Sequence, residues 1–243
     1  MNTGLTVRVR AFASLREALG AGEITLSVPV GTTVAGLLAR LATLYPDAHL
    51  PERRLTVAVN RAYAPPGQAL ADGDEVALLP PVSGGSGLGE GTPGPRLVEL
   101  TRNPISLDEV VRRVAGPERG GITLFVGTVR GVTGETRTDY LEYEAYPEMA
   151  EATLAQIAAE AQARWPGISA VSIVHRIGRL EVGDISIAIA VAAPHRHDTF
   201  PACHYIIDRV KEIAPIWKRE VGPDGAAWVE GPESAVGTDW DGP

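Results

Sequence analysis

The chain has 243 residues, 44% of them apolar, which is enough for one large core or two ordinary ones. Its net charge of −8 argues against a nucleic-acid partner, because phosphate-backbone binders carry a basic excess. No window approaches the ~18 continuous apolar residues of a membrane span, and the opening MNTGLTVRVR has no signal-peptide core, so we expect a cytoplasmic protein with no membrane partner. The lone cysteine, Cys203, excludes an internal disulfide and any CxxC metal site and reads as a small buried hydrophobe.

The first elements in chain order are an alternating strand over 5–12 and its expected hairpin partner over 24–30. Thr32 and Thr33 then offer a cap for a helix in which Val34, Leu37, Leu38, Leu41 and Leu44 share a face before Pro46. Strands over 55–60 and 74–81 follow, with Asp72-Gly73-Asp74 as a turn. Residues 1–85 thus predict a sheet folded across one helix and ending in Gly84-Gly85. Residues 86–95, SGLGEGTPGP, contain nothing that packs and read as a linker that spans roughly 17 Å on random-coil scaling. Its GxGxxG match is not a dinucleotide site, because no helix can follow Pro95 at the required place.

The net charge belongs to the remainder: residues 1–85 carry seven basic and seven acidic side chains, residues 86–243 fifteen and twenty-three. From 96 to 234 we expect an α+β domain with strands over 122–131, 139–146, 171–180 and 185–195. A helix runs from Pro147 through Trp165 with Leu154, Ile157 and Ala161 in its stripe, and another runs over Thr199–Ala214 to a break at Pro215. Residues 235–243 have no assigned role and read as a disordered tail.

Three patterns bear on chemistry. The chain has twenty arginines and two lysines, Lys211 and Lys218, seven residues apart; lysine alone can shed its proton at moderate cost and serve as nucleophile or acid/base, although lysines at a helix end are also ordinary solvated charges. Pro194-His195-Arg196-His197-Asp198 lies where an apolar strand gives way to a helix, a favoured place for an anion, and Arg130 at another strand end is a candidate to join it; separate surface residues are the bland alternative. His195-x-His197 with Cys203, His204 or Asp198 is a conceivable zinc set, but no cysteine or carboxylate pair has a familiar spacing, so we assign no metal. No GxSxG elbow supports a serine hydrolase.

Residues 1–85, with the ending LLPPVSGG, resemble the ubiquitin-like β-grasp sulfur carriers, in particular the small subunit of molybdopterin synthase. TLFVGTVRG, YLEYEAYPEM, VSIVHRIGRLEVGDISIAIAVAAPHR and APIWKREVGPDGAAWVE resemble the large, catalytic subunit of the same enzyme over nearly all of 97–234. The resemblance implies a natural fusion of the two. It implies sulfur transfer from a thiocarboxylate on the last glycine of the carrier to a cyclic pyranopterin monophosphate, forming the dithiolene of the molybdenum cofactor, with no permanently bound cofactor. By position, it implies that Lys211 and Lys218 are active-site lysines and that Arg130, His195 and Arg196 hold the pterin and its phosphate. It also implies a dimer of catalytic domains.

The fusion raises a chemical difficulty. A thiocarboxylate requires a free carboxyl on Gly85, and in this chain that carbonyl is bonded to Ser86. We therefore expect a protease to cut behind Gly85 and an adenylating, sulfur-loading enzyme to act on the new terminus. Two alternatives keep the chain whole: the β-grasp domain is a non-catalytic docking or regulatory module, or it is a spectator while a separate carrier supplies sulfur.

Overall fold

In the computed structural model, residues 4–81, 96–134 and 136–229 are described. The chain divides into two units, Met1–Pro81 and Val82–Pro243. Gly84, Gly85, the linker 86–95 and the tail 235–243 lie outside the described residues. None of the described helices is long and apolar enough to cross a membrane.

The first unit contains β1 (Gly4–Ala11), α1 (Ala13–Leu19), β2 (Glu23–Pro29), α2 (Val34–Leu44), β3 (Thr56–Val59), β4 (Ala62–Tyr63) and β5 (Glu75–Leu79). Their sheet order is β2-β1-β5-β3-β4, with β1 and β5 parallel and the other pairs antiparallel. This is the expected β-grasp. Thr33 caps α2 by accepting from the Gly36 amide at 3.2 Å, and Val34, Leu37 and Leu41 are buried against Val7, Val9, Val76 and Leu78. Each such side chain contributes about 1.5–3 kcal/mol by leaving water. One expectation changes: β1 and β2 do pair antiparallel, but they are joined through α1 rather than by a tight hairpin.

The second unit contains β6 (Arg96–Thr101), α3 (Leu107–Val114), β7 (Gly121–Thr128), β8 (Val132–Thr133), β9 (Thr136–Arg137), β10 (Tyr140–Ala145), α4 (Pro147–Arg164), β11 (Ala170–Arg176), β12 (Gly178–Glu181), β13 (Ile185–Ala193), α5 (Thr199–Ile213), β14 (Ile216–Gly222) and β15 (Gly225–Val229). One sheet has the order β6-β11-β13-β7, a second β12-β10-β14-β15, and β8 and β9 form a two-stranded third. β13 explains its own apolar run: Ile187, Ile189 and Val191 face α4 and α5, while Ala188, Ala190 and Ala192 face α3. A strand covered on both faces has no reason to alternate with polar residues.

The expected single strand over 171–180 is two strands in different sheets. Gly178, at φ +89°, turns the chain between β11 and β12, a conformation open to glycine at no steric cost.

Candidate active site

Antiparallel pairing of β7 with β13 fixes where the predicted site residues lie. Gly121 is opposite Ala193, and Thr128 is opposite Ile185. Arg130 follows the C-terminal end of β7, where the Val129 amide donates to the Asp184 carbonyl at 2.9 Å. His195 and Arg196 follow the C-terminal end of β13, beside the start of β7. Seven strand rises of about 3.3 Å separate the two ends by roughly 23 Å. The expectation that Arg130 joins the His195-Arg196 constellation therefore fails within one chain, because the two strands run in opposite directions.

Both lysines belong to the Arg130 end. The start of α5 is level with Thr123 through a Thr123–Thr199 hydroxyl contact of 2.6 Å, and Cys203 is level with Ile189, which pairs with Phe125. At about 1.5 Å per residue, Lys211 then comes level with the end of β7, where it is exposed. Lys218 lies on β14 opposite Tyr143 of β10. The Tyr143 ring meets His175 edge to face at 5.0 Å, and His175 pairs with Ile187, next to Gly127. Lys218 is half-buried, and its Nζ lies 3.1 Å from Glu220 Oε1, two residues along the same face of β14. Lys211, Lys218 and Arg130 are thus gathered by topology at one end of the domain. Three cations there suit a substrate on which negative charge develops.

His175 is buried and its Nδ1 is 2.9 Å from the Arg176 carbonyl, which can only accept, so Nδ1 carries the proton. Burial lowers its pKa to about 4, against a smaller raising effect of that hydrogen bond, and the ring is neutral at pH 7. It packs edge to face against Tyr143 without adding charge.

At the other end, His195 and Arg196 are exposed on a tight turn that leads through Asp198 into α5. A Cβ at Gly120 would stand 2.7 Å from the Pro194 carbonyl oxygen, and one at Gly121 3.0 Å from the Arg196 backbone, so the glycine pair lets β7 run directly beneath this turn. His197 Nδ1 is 2.9 Å from Asp198 Oδ1, and His204 Nε2 is 3.0 Å from Asp208 Oδ2. Cys203 is buried in the core, where loss of solvation raises its thiol to about 11. The conceivable zinc ligands are dispersed in this way, and among the described residues no group of three or more His, Cys, Asp or Glu is placed to hold a metal.

Sequence reasoning did not single out Tyr143, His175 or Glu220. The alternation of YLEYEAY could have drawn attention to Tyr143, but its pairing with Lys218 depends on a register between strands 75 residues apart.

Two family models match the chain: the ThiS family over residues 9–85 and the MoaE protein family over residues 100–213. A protein of Halalkalibacterium halodurans named molybdopterin synthase catalytic subunit is 52% identical over 130 residues, covering 54% of this chain and 83% of the relative. Its Bacillus subtilis namesake is 47% identical over 131 residues, covering 54% and 83%. A crystal structure of molybdopterin synthase from Staphylococcus aureus matches 54% of this chain and 95% of its own, with 46% identity and a TM-score of 0.52.

Proposed function

This chain belongs to the molybdopterin synthase catalytic-subunit family and carries a ThiS-type carrier domain ahead of it, and from that premise we propose that its own Gly85 supplies the sulfur. The chain is a sulfurtransferase of molybdenum cofactor biosynthesis. In our reading a protease cuts behind Gly85, an adenylating enzyme converts the freed carboxyl to a thiocarboxylate, and the sulfur passes to a cyclic pyranopterin monophosphate. Gly84 and Gly85 suit a tail that must enter a narrow site, since a residue without Cβ fits where others clash. Lys211 acts as acid/base or transient nucleophile beside the carbon that gains sulfur. Lys218, steadied by Glu220, and Arg130 stabilise negative charge as it develops. His195 and Arg196 bind the phosphate.

The observation that carries this reading furthest is the placement of two half-sites at opposite ends of β7. Among the described residues β7 pairs only with β13, so its other edge is open, and beside that edge Ile122 and Leu124 are 37% and 36% exposed. Two copies that pair β7 to β7 antiparallel about a two-fold axis bring the Gly121 end of one against the Thr128 end of the other. His195 and Arg196 of the second copy then complete the site formed by Lys211, Lys218 and Arg130. The active unit is accordingly a homodimer through the C-terminal domain, with two composite sites.

Mixing two inactive variants tests the arrangement. After subunit exchange between Lys211→Ala and Arg196→Ala chains, half the dimers are mixed, and each has one intact site of two, so about a quarter of wild-type turnover returns. No recovery, with exchange verified by mass, would place all five residues in a single-chain site.

A further inference from the structure

We propose that a pair of hydroxyls, half-buried Thr123 on β7 and buried Thr199 at the start of α5, positions the His195-Arg196 turn for substrate. The inference rests on the reading that this turn binds the phosphate of the pterin. Thr199 is fully buried, with 0% of its surface exposed, and its Oγ1 donates to the Arg196 carbonyl at 2.8 Å. The same carbonyl also accepts the Thr199 backbone amide. The hydroxyl proton of Thr199 is thereby committed. Its 2.6 Å contact with Thr123 Oγ1 must then run the other way, with Thr123 donating. The relay Thr123 to Thr199 to the Arg196 carbonyl links the sheet to the turn through one directed chain of hydrogen bonds.

Three glycine contacts hold the same turn from outside. Gly120 and Gly121 bring β7 against Pro194 and Arg196, and a Cβ at Gly167, just beyond α4, would stand 2.6 Å from Asp198 Oδ2. The turn is therefore seated on β7, the loop after α4, and α5 together, while the His195 and Arg196 side chains remain exposed. A phosphate site needs this combination: a fixed backbone from which two long polar side chains are presented in one direction. Thr199 is buried and the Thr123 hydroxyl is committed to it, so both are positioning residues.

Removing the Thr199 hydroxyl leaves the Thr123 donor and the second lone pair of the Arg196 carbonyl without their partner, and the turn loosens. Both bonds are lost in Thr199→Val, and loss of the one to the turn predicts a roughly three- to tenfold rise in KM for the pterin substrate, with kcat held within about twofold. Thr199→Ser keeps the hydroxyl and restores the wild-type KM; Thr123→Val shifts KM in the same direction as Thr199→Val by a smaller factor. The assay uses the chain after cleavage behind Gly85, both fragments together with the sulfur-loading enzyme, and includes Arg196→Ala. If Arg196→Ala abolishes turnover while Thr199→Val and Thr123→Val leave KM unchanged, or if serine fails to restore it, the relay has no positioning role. If Arg196→Ala itself leaves turnover and KM unchanged, the phosphate reading falls and the relay with it. Should Thr199→Val not fold, the Thr123→Val and Thr199→Ser pair decides by the same criterion.

Discussion

Replacing His175 by Asn should remove one specific component of acid sensitivity from the second unit. The imidazole is buried and its pKa falls from 6.5 to about 4, chiefly through burial. A base whose folded pKa is depressed binds its proton in the unfolded chain first, so its contribution to stability is intact above pH 6.5 and is lost as pH falls through 4. The difference of about 2.5 units, at about 1.36 kcal/mol each, amounts to about 3 kcal/mol between pH 7 and pH 4. Asn keeps a donor for the Arg176 carbonyl and does not titrate. All four tryptophans, Trp165, Trp217, Trp228 and Trp240, belong to the second unit, so urea unfolding of the full chain followed by tryptophan fluorescence reports on it directly. Background carboxylates titrate equally in both proteins and cancel in the difference. Wild type minus variant should therefore fall by about 3 kcal/mol from pH 7 to pH 4, whatever the variant's stability at neutral pH. A difference that stays flat with pH would show that His175 is not buried as a neutral ring.

Two further outcomes follow from the edge of β7 and from the exposed lysine. Leu124→Glu places like charges face to face across the two-fold edge and should convert the dimer to monomer in sedimentation, with turnover lost in parallel and far-UV circular dichroism retained. Lys211→Ala, at an exposed position near the end of α5, should leave both the unfolding midpoint and the dimer unchanged while turnover collapses; normal turnover would remove Lys211 from the chemistry.

Several elements could be read from sequence because local and tertiary demands agree in them. The apolar stripe of α2 with Thr33 before it, and the buried run of β13, each carry one unambiguous period or length. The helix α1 could not be read, since ASLREAL is only two turns long, has no capping side chain, and buries just Ala13, Leu15 and Leu19. The apolar continuity of VSIVHRIGRL concealed the change of sheet at Gly178, which depends on a positive φ. The chemistry-bearing residue types were visible as rare lysines and a His-Arg turn, but their division between the two ends of β7 was not: strand direction is a property of pairing, and no single segment encodes it. Thr123 and Thr199 are unremarkable in the sequence, and only their 2.6 Å approach across 76 residues gives them a role.

The central claim is that the carrier domain of this chain feeds its own catalytic domain from Gly85. The most direct measurement is the intact mass of the protein isolated from cells that are making the cofactor. A fragment ending at Gly85, part of it with one terminal oxygen replaced by sulfur, is expected alongside a fragment beginning at Ser86 in equal amount. Full-length chain alone, in cells with active cofactor synthesis, would contradict it and assign sulfur delivery to a separate carrier.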